Sequence, residues 1–164
     1  MSNSSIIGKS KNQIIKELLK DRDILDAIGS MEVSIDDPEL FIGTHIFDYN
    51  QNQFTIKKAI TFITVQVHIP KIYDYNGKFV APTIEIWIIT HANHMTVDNV
   101  PKVKENRNDY LSELIDNKLN GRSGFGIGKI KLISNIEGSF QEDYLYRKMI
   151  FEGTDINESL CKIE

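Results

Sequence analysis

The sequence predicts an α+β fold: an antiparallel sheet of about four strands with two amphipathic helices packed on one face, in the order α-β-β-α-β-β. Three observations lead there. Apolar residues return at helical spacing near the N-terminus and again around residue 114. Two β-branched runs, 59–70 and 80–91, alternate with period two and flank the hairpin dipeptide Asn76-Gly77. Two further runs with a turn between them close the chain. The 164 residues suit one domain over 1–164, with a loose N-terminal arm (1–9) and a C-terminal tail (153–164).

Each element has its own signal. Ser10 is placed to cap a helix over 11–28, with Ile14, Ile15, Leu18, Leu19, Leu25 and Ile28 on one stripe. The charged segment "KDRD" at 20–23 is where that helix bends or splits, and Gly29 suits a left-handed end. Residues 30–57 carry a turn signal at Asp37-Pro38 and a short apolar run from Leu40 to Phe47, which reads as an extended segment or short strand before a loop. A two-residue turn at Asn76-Gly77 sets a hairpin register in which Ile69 faces Ile84, Val67 faces Ile86, and Val65 faces Ile88. The same register puts His68 opposite Glu85 and Gln66 opposite Trp87. Pro70 and Pro82 cannot donate to the ladder, so a bulge or edge is expected there. A long polar connection, 92–107, reads as a contact loop. Asn108 then caps a helix through "DYLSELIDNKL", and Gly121 stops it. Strands at 129–136 and 144–153 follow, separated by the turn "EGSFQED".

Composition narrows the function classes. With a net charge of -4, the chain is not a general nucleic-acid binder, although Lys102, Lys104, Arg107, Lys118, Arg122, Lys129 and Lys131 crowd one stretch among acids. The single cysteine, Cys161, allows no intrachain disulfide. No apolar run has the length of a membrane span, and "MSNSSIIGKS" has no signal-peptide core.

"GRSGFGIGK" (121–129) carries the strongest hint of chemistry, and it fails two tests. A phosphate loop needs G-x-x-x-x-G-K followed by Ser or Thr, so that backbone amides wrap the phosphates and a hydroxyl binds magnesium. Here Ser123 stands where the first glycine belongs, and Ile130 follows Lys129. The stretch also runs from helix into strand, the reverse of a phosphate loop. The dinucleotide fingerprint breaks at Lys129, three places after Gly126. A flexible connecting loop, ordered only against a neighbour, is the expectation. His91 and His94, with His68 on the facing strand and His45 elsewhere, raise a metal site as a rival reading, but they lack a helical H-E-x-x-H frame. The serines lack a nucleophile-elbow context.

Three segments together carry a resemblance: the helix "NQIIKELLKDRDILDAIG", the hairpin ending in "PTIEIWIITHANHM", and the close "NDYLSELIDNKLNG…GKIKLISNIEGSFQEDYLYRKMIFEGTDIN". In the last strand Tyr146-Arg147 is followed by Phe151 and then Asp155. This layout resembles small neck proteins of long-tailed bacteriophages, the tail-terminator, tail-completion and head–tail joining group. The resemblance implies a structural virion protein with no catalytic residues and no cofactor. It implies a homo-oligomeric ring, usually a hexamer, at the head–tail junction, assembled in the host cytoplasm. Its partners would be tail-tube and head-connector proteins, with genomic DNA passing through unread and no membrane involved. Candidate interface residues are Trp87, His94, Lys102, Lys104, Arg122, Phe125 and the aromatic of the Ser139-Phe140 pair. Two rivals stand beside this: a non-enzymatic α+β adaptor binding a protein by strand addition, and a small metal-dependent enzyme using His91 and His94.

Overall fold

The computed structural model describes residues 4–50, 60–69, 72–73, 79–80, 82–140 and 143–153. It is α+β, with three α-helices against one face of a five-stranded sheet. Helices α1 (Ser5–Leu19) and α2 (Arg22–Ile28) divide the predicted N-terminal helix inside "KDRD". The break has a local cause: Asp21 is extended, and its carboxylate accepts the Ile24 N–H at 3.4 Å, starting a new helix. Gly29 closes α2 at φ 67°, as its position predicts. Most of the expected arm is helical, since α1 begins at Ser5. Ser10 is therefore an interior residue rather than a cap. It is fully buried, and its hydroxyl donates to the Phe125 carbonyl at 2.7 Å. Helix α3 (Arg107–Leu119) is capped by Asn106, whose side chain accepts the Asp109 N–H at 2.9 Å. Asn108, the expected cap, is the second residue of the helix and is buried.

The sheet is mixed, with strands Ile46–Phe47 (β1), Thr61–His68 (β2), Thr83–His91 (β5), Tyr144–Gly153 (β7) and Ile130–Phe140 (β6) side by side in that order. Strand β1 lies parallel to β2 at one edge; the others pair antiparallel. The fifth strand departs from the expected four because the apolar run at 40–47 contributes a short edge. The thirteen residues 48–60 between β1 and β2 are long enough for a parallel connection, which a tight turn is not.

The β2–β5 register corrects the one predicted from Asn76-Gly77. Val67 pairs with Ile84, Val65 with Ile86, and Ile63 with Ile88. His68 stands opposite Thr83, and Gln66 opposite Glu85. A shift of two residues keeps each side chain on its face, so the apolar pattern cannot detect it. A separate short ladder, β3 (Ile72–Tyr73) with β4 (Phe79–Val80), has a different offset, Ile72 with Val80. Pro82 stands between the two ladders, just before β5. The turn at 74–78, the bulge expected at Pro70, Cys161 and the tail beyond 153 lie outside the described residues.

Strand β6 runs to Phe140, past the predicted end at 136, because β7 pairs with it along its whole length. A bulge at Ile133 changes its faces. Ile130 and Leu132 turn toward the helices, whereas Ile136 and Phe140 lie across from Lys148 and Tyr144 on the other side. The helix-covered face is mostly aliphatic: Ile63, Val65, Val67, Ile84, Ile86, Ile88 and Met149, with Phe151, meet Ile14, Leu18, Ile24, Ile28, Leu111 and Ile115.

Candidate interaction surface

The long connection after β5 is held from inside. Arg107, the first residue of α3, is fully buried. Its guanidinium donates to the carbonyls of Ala27 (2.5 Å), His94 (2.6 Å) and Thr96 (2.7 Å), and to Asn99 Oδ1 (3.3 Å). It therefore ties the end of α2 to the loop at 94–99. Burial lowers its pKa, and Asp98 at 3.9 Å opposes that shift. Gly29 makes room for it, since a Cβ there would stand 2.5 Å from Arg107 Nη1 and 3.3 Å from His94 Nε2.

A chain of polar groups continues from this clamp. Thr90 Oγ1 donates to Thr61 Oγ1 at 3.1 Å, and His94 Nδ1 lies 3.0 Å from the same hydroxyl. His45 Nδ1 faces the Thr61 carbonyl at 2.8 Å, so that nitrogen carries the proton; Nε2 then accepts from the Ser30 hydroxyl at 2.8 Å. Burial lowers both histidine pKa values; Arg107 lowers that of His94 further. The Ser30–His45 contact has no sequence signal, because the two lie fifteen positions apart across a stretch with no regular periodicity. Its work is structural: Ser30 Oγ also accepts the N–H groups of Glu32 and Val33, so the node fastens 30–33 to β2.

The histidines of the metal reading do not converge. His94 turns inward to Thr61 at one end of β2, and His68 sits at the other end, 4.0 Å from Glu85. The His91 ring meets Tyr144 edge-on at 5.0 Å and accepts the Asn93 N–H. Among the described residues no three His, Cys, Asp or Glu side chains gather as a metal cluster.

The glycine loop is ordered by its own chain, which corrects the expectation that it needs a neighbour. Phe125 and Ile127 are buried in the core. Ser10 holds the Phe125 carbonyl, and the Gln13 amide, turned to match its surroundings, donates to the Gly124 and Phe125 carbonyls at 3.1 Å. Gly121, Gly124, Gly126 and Gly128 all have positive φ, which explains four glycines in so short a run. A shallow cavity of about 460 Å³ lies beside the loop, lined by Lys16, Lys20, Arg122 and Glu17 among others.

The candidate contact residues therefore separate. Phe125 is core, and His94 is half-buried in the polar node; neither is left a free surface. Lys102, Lys104 and Arg122 are exposed, and Lys102 has a φ of 71°. Trp87 and Phe140 are half-buried on the face away from the helices. Trp87 stacks on Phe140 (centroids 5.4 Å apart), packs at a tilt against Tyr146 (4.7 Å), bonds Glu85 through Nε1, and carries Lys148 Nζ 5.0 Å over its ring. Two surface features had no sequence signal. One is the outer edge of β6, with Ile133 and Ile136 half exposed. The other is a cavity of about 390 Å³ between α3 and the β6–β7 hairpin.

These features define an α+β protein whose polar buried groups hold loops in place and whose open features are a sheet edge and shallow surface cavities. The chain belongs to the YomW family, whose model matches residues 12–152. That is a phage-derived, SPbeta-type protein name, and it points to a phage-related protein. No curated protein and no solved structure matches the chain.

Proposed function

We propose that the chain is a non-enzymatic structural protein of the phage particle. In this reading it forms a ring, a hexamer, at the head–tail junction, where it ends tail-tube growth and joins the tail to the connector while DNA passes through. Membership of a phage-related family carries the reading. The open β6 edge supports it, because an unpaired strand with half-exposed isoleucines is a natural place for subunits to meet. Light scattering on the purified full chain across a concentration series tests it. The expected result is a ring, or a concentration-driven rise toward one. A monomer at every concentration that also fails to join isolated tail tubes sinks it.

The β6 edge equally favours a second reading, an adaptor that binds a protein partner by strand addition. A monomer that captures an extended peptide along this edge selects it.

A further inference from the structure

The cavity between α3 and the β6–β7 hairpin is lined by Asn106, Asn108, Asp109, Glu137, Ser139 and Arg147, among others. Asn108 is 3% exposed. Its Nδ2 donates to the Leu145 carbonyl at 3.1 Å, but its Oδ1 is buried with no donor among the described residues. A buried acceptor left unmet is uncommon, and this one belongs to a residue that lines a cavity open to an incoming donor.

The charge around it is also incomplete. Asp109 is satisfied on both oxygens, by Arg147 Nε at 2.5 Å and Asn106 Nδ2 at 2.7 Å. Glu137 reaches Arg147 only at 3.8 Å, and its side chain is 77% exposed. One guanidinium thus faces two carboxylates, leaving a negative charge on the rim.

This cavity opens beside the free edge of β6. The first residues of that edge are already covered: Ile130 exchanges backbone bonds with Gly121 and Arg122, and the Leu132 N–H is taken by Asn120 Oδ1. Past the bulge at Ile133, no outward backbone partner occurs among the described residues. Since Ile130 points its N–H and C=O outward, the ladder alternation and the bulge make Asn135, Glu137 and Ser139 the outward-pointing residues. Glu137 and Ser139 share the face of Arg147 and Leu145, their partners on β7. A residue added opposite Glu137 would send its side chain to that same face, at the cavity mouth.

We propose that the β6 edge from Ser134 to Phe140 is a strand-addition site for an extended segment of a partner protein bearing a lysine or arginine. That cation, set opposite Glu137, pairs with its carboxylate and donates to Asn108 Oδ1. The inference rests on the strand-addition reading of this edge, the same edge that the ring reading uses for subunit contact.

The test is an NMR titration of the isotope-labelled full chain with a short capped peptide of alternating threonine and valine holding one central lysine. Two comparison peptides replace the lysine with norleucine or glutamate. Shifts are expected at the amides of Asn135, Glu137 and Ser139 and at the Asn108 side chain, with about threefold to fivefold tighter binding for lysine than norleucine. The variant Glu137→Lys should reverse the order and favour the glutamate peptide. Absence of edge shifts at millimolar peptide, equal affinity for all three peptides, or an order unchanged in Glu137→Lys would overturn the proposal. A ring-free light-scattering result leaves this outcome untouched.

Discussion

The two faces of the central sheet solve burial in different ways. On the helix side, alternate residues of β2, β5 and β7 are mostly aliphatic, with Phe151 among them, and meet the stripes of α1, α2 and α3. On the other side the same strands carry Phe62, Trp87, Ile89, Tyr144 and Tyr146, with Glu85 and Lys148 beside them. No helix among the described residues packs there. Where a second layer covers a sheet, branched aliphatic side chains fill the space between layers. Where none does, broad aromatic rings cover one another across strands, and long polar side chains lie over the rings. The first face gets its stability from interlocking, the second from lateral contact, so damage should spread differently on each.

The largest effect should come from the buried clamp on the helix side. Arg107→Met keeps the bulk but leaves the carbonyls of Ala27, His94 and Thr96 without donors. Denaturant unfolding should show a loss of about 3–5 kcal/mol, as when one side of a buried charged network is removed. Arg107→Lys should recover little, because an ammonium cannot reach the same fork of acceptors. Next comes Ile86→Ala, at the centre of the aliphatic layer, with an expected loss of about 3 kcal/mol. Trp87→Leu, one residue along but facing the other way, should cost about 1–2 kcal/mol, mostly from its ring partners. Equal losses at 86 and 87 would mean that the two faces are packed alike and would break the comparison.

The difference between the faces also explains what was legible in the sequence. Period-two alternation at 61–68 and 83–91 reports which side each residue faces, so the aliphatic layer and the hairpin could be read directly. Alternation is blind to even shifts, so the same signal missed the register by two. The split at "KDRD" and the end at Gly29 were readable because caps are local chemistry. Arg107, His45 and Ser30 were not, since their partners lie far away in sequence and a charged residue at a helix start usually signals solvent. Phe125 was misassigned to the surface for a related reason: glycines around an aromatic look like a mobile loop, and only Ser10 and Gln13 on a distant helix show that it is pinned.

Acid should probe the helix side selectively. His45 and His94 have pKa values lowered from 6.5, chiefly by burial. Arg107, His45 and His91 also disfavour charge on His94, while Asp98 favours it; Glu32 and the Thr61 carbonyl favour charge on His45. A base whose folded pKa is depressed contributes stability above its unfolded pKa and loses it as pH falls. Unfolding free energy should therefore drop as pH falls below about 6.5, by up to about 1.4 kcal/mol per pH unit for each group. His94→Gln should flatten the slope by one group's share. A slope identical in wild type and His94→Gln would remove His94 from the acid response.

The smallest effect sits on the aromatic side and is the sharpest test of how that face is built. Gly138 lies opposite Tyr146, and a Cβ at 138 would fall 2.4 Å from the tyrosine ring. The ring lies across the bare backbone, hiding a glycine that would otherwise weaken the strand. Gly138→Ala must push Tyr146 aside, and the Tyr146 ring packs at a tilt against both Trp87 and Phe140. If lateral contact holds this face, the shift should pass to Trp87, giving a change in tryptophan fluorescence with a loss of only about 1 kcal/mol. The same substitution in a Tyr146→Ala background should be neutral or better, because the clash is gone and alanine suits a strand more than glycine does. A loss that persisted without Tyr146 would place the constraint in the β6 backbone, and the aromatic row would no longer be what organises the open face.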